Sequence, residues 1–239
     1  MADLGIVIVN YNTRDLLDGC LVSLQQSIGH PDFQVVVVDN CSTDGSADMV
    51  RAKYPWVYAL IETGHNGGYA YANNIGLRTL GFEKPEHAHC TPRYALLLNP
   101  DTVLPPNALQ DMLAYMDAHP EVGVAGPKLV RQDGSLDKAC RRSFPTPEIA
   151  FYRLSGLGKL FPRSRRFGRY NLTFLDPDLP AEVDAVVGAF MLMRSEALSQ
   201  AGLLDERFFM YCEELEWQWR LQWQNPVAPA PDRSRREHV

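Results

Sequence analysis

Four short apolar runs constrain the fold of this chain more than any other feature. They are "IVIVN" at 6–10, "FQVVVVDN" at 33–40, "VYALIE" at 57–62 and "YALLLN" at 94–99. Each has the length and β-branched content of a strand, and each leads into a stretch with helical character. Thr13 to Ser27 carries Leu16, Leu17, Leu21 and Leu24 at helical spacing. Residues 46–54 follow Ser42, Thr43 and Asp44, three N-cap candidates. A third helix is expected over 68–80, and Pro105 and Pro106 open a fourth in "NALQDMLAYMDAH". The four valines of the second run imply a strand buried on both faces. Strands alternating with helices predict an α/β fold, with a mostly parallel central sheet flanked by helices on both sides.

The pattern changes after residue 120. "VGVAGPKLVRQDGSLDKAC" reads as short strands around a Gln-Asp-Gly-Ser turn. Residues 141–170 show no clear period, and carry Arg141, Arg142, Arg153, Lys159, Arg163, Arg165, Arg166 and Arg169 against one acid, Glu148. "VDAVVGAFMLMR" at 183–194 returns to strand, Ser195 is expected to cap a short helix, and 211–224 reads as another. The expected organisation is a binding half at 1–120, a second half of the same domain at 121–224, and a disordered or truncated tail at 225–239.

Composition narrows the function classes. A chain of 239 residues can bury one sizeable α/β core. Its net charge of -6 speaks against a general nucleic-acid binder. No apolar run approaches the ~18 residues of a membrane-spanning helix. The N-terminus has no basic region before its apolar run, so no signal peptide is expected. The five cysteines, Cys20, Cys41, Cys90, Cys140 and Cys212, are scattered without a CxxC pair. Neither a zinc site nor a disulfide framework is expected, and a reducing cytoplasm fits.

In open α/β sheets, ligands bind beyond the carboxyl ends of the strands. The four exits carry Asn10-Tyr11-Asn12, Asp39-Asn40, Gly64-His65-Asn66-Gly67-Gly68 and Asn99-Pro100-Asp101. Any one alone is an ordinary turn, since Asn, Asp and Gly form turns for local reasons. Four together point to a shared site. Asp39 is suited to accept from the imide N–H of a pyrimidine base, or equally to brace its turn. "GHNGGYAYANNIG" places free backbone N–H groups at a helix start, where a diphosphate fits. It is not a P-loop, because GxxxxGK[ST] is missing. Asp101, cut off from its helix by two prolines, suits a hard divalent cation, which often takes one or two carboxylates beside phosphate oxygens. His65, His87, His89 and His119 have no metal-ligand spacing. Glu213, Glu214 and Glu216 lie behind Phe208, Phe209 and Tyr211. They are either first-turn acids favoured by the helix dipole or a general base beside an apolar wall. Trp217, Trp219 and Trp223 read as core or interface residues.

Taken in order, "VIVNYN", "VVVVDNCSTDGS", "GHNGGYAYANNIG", "LLLNPDTVL", "VDAVVGAFMLMRSEAL" and "LLDERFFMYCEELEW" resemble family 2 glycosyltransferases, in their rhamnosyltransferase-like branch. The resemblance spans most of residues 5–224. It implies a GT-A-type nucleotide-binding sandwich with a smaller acceptor-side portion, a nucleoside-diphosphate sugar donor, Mg²⁺ or Mn²⁺, and inversion at the anomeric carbon. It also implies a glycan or lipid-linked acceptor of the cell surface, with dTDP-rhamnose as the candidate donor. Val9, Asn10, Tyr11 and Asp39 match the nucleoside-holding positions. Asn66 and Asn73 match the segment near the donor phosphates. Asn99-Pro100-Asp101 matches the Asp-x-Asp metal motif, making Asn99 a nucleotide contact and Asp101 the metal ligand. Glu213-Glu214 matches a Glu-Asp pair whose second member is the base, so Glu214 is the catalytic candidate with Glu213 beside it. Two departures stand out: Glu replaces the usual Asp at 214, which leaves Glu213 or Glu216 as alternative bases, and the chain runs from Asn225 into "PVAPAPDRSRREHV" where a Gly-Trp turn is usual. The second departure supports another expectation, a nucleotide-sugar binding module without turnover. A nucleotidyltransferase is disfavoured, because the first exit lacks a Gly- and Arg/Lys-rich triphosphate loop. Phe144, Phe151, Tyr152, Leu157, Leu160 and Phe161 interleave with the basic residues of 141–170 as in an interfacial segment. The default reading of this stretch is a solvated basic loop; the sharper one is peripheral contact with the anionic inner face of a membrane or with a lipid-diphosphate acceptor.

Overall fold

Alternation of side chains along each strand explains the layering. On β1 (Leu4–Asn10), Leu4, Ile6 and Ile8 enter one apolar core and Val7 the other. β2 (Phe33–Asp39) divides likewise, with Val35 and Val37 against Val36 and Val38. With both faces covered, β1, β2 and β4 (Tyr94–Leu98) read as near-continuous apolar runs. The computed structural model describes residues 2–28, 32–83 and 91–224.

A six-stranded sheet runs in the order β3-β2-β1-β4-β6-β5. β1 to β4 are mutually parallel, with β3 at Ala59–Glu62. β6 (Phe190–Arg194) enters antiparallel beside β4, and the two-residue β5 (Val124–Ala125) closes that edge. Helices α1 (Arg14–Gln25), α2 (Ser46–Lys53) and α4 (Ala108–Ala118) supply Leu17, Leu21, Met49, Leu109 and Met116 to one core. α3 (Tyr69–Thr79), α7 (Ser195–Ala201) and α8 (Glu213–Gln224) supply Ala70, Leu77, Leu198 and Trp217 to the other. The parallel half of the sheet is the arrangement expected from the sequence.

The second half departs from the expectation. Strand geometry covers only Phe190–Arg194 of the 183–194 run. The residues before it form an irregular approach, tied at one point by an antiparallel bridge between Arg142 and Ala185. The aperiodic 141–170 stretch contains α5 (Pro147–Leu154) and the one-turn α6 (Leu157–Leu160). Thr146 caps α5 by accepting from the Ile149 N–H, and Pro147 stands at its first position, where its missing N–H costs nothing. The Gln-Asp-Gly-Ser turn is present, flanked by a bridge between Val130 and Leu136. Two caps differ from expectation. α2 begins after Gly45, at φ +80°, and Asp44 accepts from the Ser46 N–H at 3.1 Å. Ser195 is the first residue of α7, and Arg194 holds the cap position. The expected tail at 225–239, together with His87, His89 and Cys90, lies outside the described residues.

Candidate functional site

The β1 and β2 exits are locked to each other. Asn10, fully buried, donates from Nδ2 to Asp39 Oδ1 at 3.0 Å and to Ser42 Oγ at 3.0 Å. Thr13 Oγ1 donates to Asn10 Oδ1 at 2.7 Å, and the Ser42 N–H donates to Asp39 Oδ2 at 2.9 Å. Asp39 thus has one internal donor on each oxygen, leaving a lone pair on each for a ligand. Val9 is half-buried on the neighbouring strand position and packs against the second core. Tyr11 differs from all of these, with 48% of its surface exposed at the mouth of the exit.

Asn40 links this pair to the glycine loop. Its Nδ2 donates to Asn66 Oδ1 at 2.8 Å, and its Oδ1 accepts from the Gly67 N–H at 3.2 Å. Asn66 Oδ1 also accepts from the Gly68 N–H at 3.1 Å. Gly68 sits at φ +91°, and a Cβ there would lie 2.4 Å from the Phe209 carbonyl oxygen. That carbonyl accepts from the Tyr69 N–H at 2.8 Å. Only glycine meets both conditions, positive φ and close backbone approach. Asn73 stands apart from the exits: it is buried in α3 and donates to the Tyr69 carbonyl at 2.9 Å.

At the β4 exit, the Asn99 N–H donates to the Ala189 carbonyl at 3.0 Å. Asn99 is half-buried and Asp101 is exposed, and neither side chain has a hydrogen-bond partner among the described residues. Asp101 therefore has both oxygens free. A hard cation completed by phosphate oxygens and water needs no more than such a carboxylate from the protein. Among the described residues, no cluster of three or more His, Cys, Asp and Glu offers an all-protein cage.

Glu213 and Glu214 open α8 and are buried, at 5% and 7% exposure. Glu214 Oε1 accepts from Arg142 Nη2 at 2.6 Å, and both side chains of this pair are about a tenth exposed. Glu213 has no such partner. Burial, and then the Glu214 charge, push its carboxyl up to about 7, although its own backbone N–H and Arg142 pull the other way. Glu213 Oε2, Glu214 Oε2 and Arg142 Nε are buried without a partner. Of the aromatics expected beside the acids, Phe208 is half-buried, and Phe209 and Tyr211 are 57% and 76% exposed. Glu216 is taken up by Arg220, which also grips the Ala201 and Leu203 carbonyls. Trp217 is fully buried core, with Nε1 donating to the Gly202 carbonyl at 2.6 Å.

Tyr69 joins these parts. Its hydroxyl donates to the Gly188 carbonyl at 2.9 Å. Burial first, then the charges of Glu213, Glu214 and Asp101, push its phenol above the usual range. The charges of the acid pair and of the free carboxylate at the β4 exit therefore all act on one phenol. Backbone strain marks the same end of the sheet. Asn12, Cys41, Tyr211 and Cys212 all have positive φ, between 54° and 72°. Non-glycine residues hold such angles only where surrounding structure imposes them. Neither Arg142 nor Tyr69 stands out in the sequence, and Asn40 reads there only as part of an exit.

The family model for glycosyl transferase family 2 matches residues 5–201. An N-acetylglucosaminyl-diphospho-decaprenol L-rhamnosyltransferase of Mycobacterium tuberculosis is 30% identical over 214 residues, which span 89% of this chain and 68% of that protein. The low-salt glycan biosynthesis hexosyltransferase Agl10 of Haloferax volcanii is 27% identical over 223 residues, which span 93% and 62%. Among solved structures, Staphylococcus aureus TarS 1–349 in complex with UDP superposes with a TM-score of 0.62 at 17% identity, covering 94% of this chain and 56% of that one. A mannosyltransferase from Pyrobaculum calidifontis in complex with GDP-Man and Mn²⁺ gives 0.59 at 17%, covering 92% and 51%. The chain thus spans about half the length of these solved relatives.

Proposed function

The chain belongs to glycosyl transferase family 2 and has the GT-A fold, and on that footing we propose that it is an inverting glycosyltransferase. It moves a sugar from a nucleoside-diphosphate donor to a glycan or lipid-linked acceptor. Residues 1–120 form the donor half and 121–224 the acceptor and catalytic half of one domain. The observation that carries the reading is a free carboxylate, Asp101, at the β4 exit and a buried acid pair, Glu213 and Glu214, at the start of α8, both close enough for their charges to act on Tyr69. A leaving diphosphate and an attacking hydroxyl need this juxtaposition of a cation site and a base.

In this reading, Tyr11 offers its exposed ring to the nucleoside base. Val9, Asn10 and Asp39 shape the floor, and the Asn40–Asn66 bridge fixes the glycine loop that faces the phosphates, with Asn73 beneath it. Asp101 would hold Mg²⁺ or Mn²⁺, with Asn99 beside it. A bound cation neutralises charge on the leaving diphosphate. Glu214 takes the proton of an acceptor hydroxyl as that oxygen bonds to the anomeric carbon and the bond to the diphosphate oxygen breaks. The mycobacterial relative's name supports rhamnose as the sugar and a diphospho-lipid as the acceptor. Transfer from dTDP-rhamnose to a GlcNAc-diphospholipid should be measured for wild type, Asp101→Ala and Glu214→Gln. Loss in both variants is expected, and unchanged rates in both would refute the assignments. Calorimetric binding of the donor without turnover would instead support the binding-module reading.

A lipid-linked acceptor brings the enzyme to a membrane surface, and residues 141–170 are the proposed contact. Phe151, Leu154, Leu160 and Phe161 expose 61%, 87%, 69% and 48% of their surface. Among the described residues, Lys159, Arg163 and Arg165 form no ion pair. No helix of the described residues is long and apolar enough to cross a membrane, and the proposed contact is a peripheral one. Co-sedimentation should rise with the anionic lipid content of vesicles, and indifference to that content would count against it.

A further inference from the structure

We propose that Arg142 is a positioning residue for the transfer reaction: it fixes one oxygen of Glu214 and leaves Oε2 without a protein partner, free to take the proton of an acceptor hydroxyl. This rests on the glycosyltransferase reading and adds to it a residue 72 positions from the base, on the other side of the acceptor half.

The geometry is specific. Arg142 Nη2 donates to Glu214 Oε1 at 2.6 Å, and the same nitrogen reaches the Val186 carbonyl at 3.4 Å. The Arg142 backbone is itself pinned, because its N–H and carbonyl exchange hydrogen bonds of 2.9 and 3.0 Å with Ala185. From the α8 side, Gln218 Oε1 accepts from the Val186 N–H at 2.9 Å. Gln218 Nε2 donates to the Val186 carbonyl at 3.0 Å and to the Glu214 carbonyl at 2.9 Å. Base, guanidinium and the 185–186 backbone therefore form one closed set of bonds. A carboxylate held by one oxygen in this way has a single orientation, which is what a base needs to meet a hydroxyl.

The free atoms of the set match an acceptor sugar. Glu214 Oε2 and Glu213 Oε2 accept, Arg142 Nε donates, and all three are buried without partners. Buried polar atoms are rarely left so, and neighbouring ring hydroxyls supply both the donors and the acceptor they lack. On transfer, the hydroxyl proton passes to Glu214 Oε2, the oxygen bonds to the anomeric carbon, and the nucleoside diphosphate leaves with the electron pair of the broken bond. The charged and titratable groups around Glu214 are Arg142 from the 141–146 segment, Glu213 from α8 and Tyr69 from α3.

Arg142→Gln and Arg142→Lys in the full chain test this, by transfer from dTDP-rhamnose to a GlcNAc-diphospholipid between pH 5 and 9. In Arg142→Gln, kcat should fall about 100-fold with the donor KM within about twofold. The loss of kcat should persist across that pH range, because what is removed is the hold on the orientation of the carboxylate. Arg142→Lys should restore part of the rate, as a cation without the planar fork. Should Arg142→Gln fail to fold, Arg142→Lys decides alone: a rate at least about tenfold below wild type at unchanged donor KM supports the role. A wild-type rate and profile in either folded variant, or a loss confined to donor KM, overturns it. An inactive wild-type protein would refute the glycosyltransferase reading instead.

Discussion

Glu213 makes the stability of the fold depend on pH, with a sign opposite to that of most carboxylates. Burial and the adjacent Glu214 raise its carboxyl from 4.5 to about 7. The folded state therefore binds the proton more tightly than the unfolded chain does. The stability this group contributes is fully present below pH 4.5, and is lost as pH rises through about 7. The shift corresponds to about 3 kcal/mol between the two limits. Glu213→Gln keeps the shape and removes the titration. Near pH 4.5 the variant and wild type should unfold alike. At pH 8 the variant should be more stable by up to about 3 kcal/mol, or roughly 6–12 °C in Tm for a chain of this size. Urea or thermal unfolding of both proteins at the two pH values gives the double difference. A Glu213→Gln difference that stays constant from pH 4.5 to 8 would refute the argument, since it would mean that no proton is coupled to folding at this carboxylate.

Further outcomes follow from the same geometry. Gly68→Ala puts a methyl group 2.4 Å from the Phe209 carbonyl at φ +91°, and should cost about 2–4 kcal/mol of unfolding free energy in urea titrations. Asp101→Asn touches no partner among the described residues, and should unfold like wild type. It should, however, lose the extra thermal stabilisation that Mn²⁺ gives in the presence of dTDP, a shift the wild type is expected to show. Tyr11→Ala should weaken dTDP binding in calorimetry by about three- to tenfold with the fold intact, because the ring is 48% exposed. Trp217→Ala should cost about 3–5 kcal/mol, since the indole is fully buried and its Nε1 hydrogen bond goes with it.

The parallel half of the sheet was legible because its strands are buried on both faces, so apolar runs mark them directly. β6 was overextended for a related reason. Val183, Val186 and Ala189 are apolar enough to read as strand, yet Asp184 and Gly188 spend their bonds elsewhere: Asp184 Oδ2 accepts from the Phe144 N–H, and the Gly188 carbonyl from Tyr69. α5 was missed although Thr146-Pro147 signals a helix start, because its eight residues are too few to show a helical period. The polar exits were readable one by one, but their wiring was not. Asn10 meets Asp39 across 29 residues, Asn40 meets Asn66 across 26, and Arg142 meets Glu214 across 72. Such pairs are set by strand order and helix docking, and no local spacing encodes them. Tyr69 was hidden for the same reason, since as sequence it is one more aromatic residue after a glycine pair.

The place of β6 between β4 and β5 has a consequence for how the chain is made. β4 pairs with β1 as soon as both are synthesised, but its other edge waits for Phe190–Arg194, about 90 residues later. At about 5–20 residues per second, a ribosome leaves that apolar edge open for roughly 5–20 s. An open apolar edge is a template for pairing with another nascent chain. The emerging protein therefore passes through an interval in which chaperones, crowding and translation speed decide its yield, before its last long strand arrives to close the sheet.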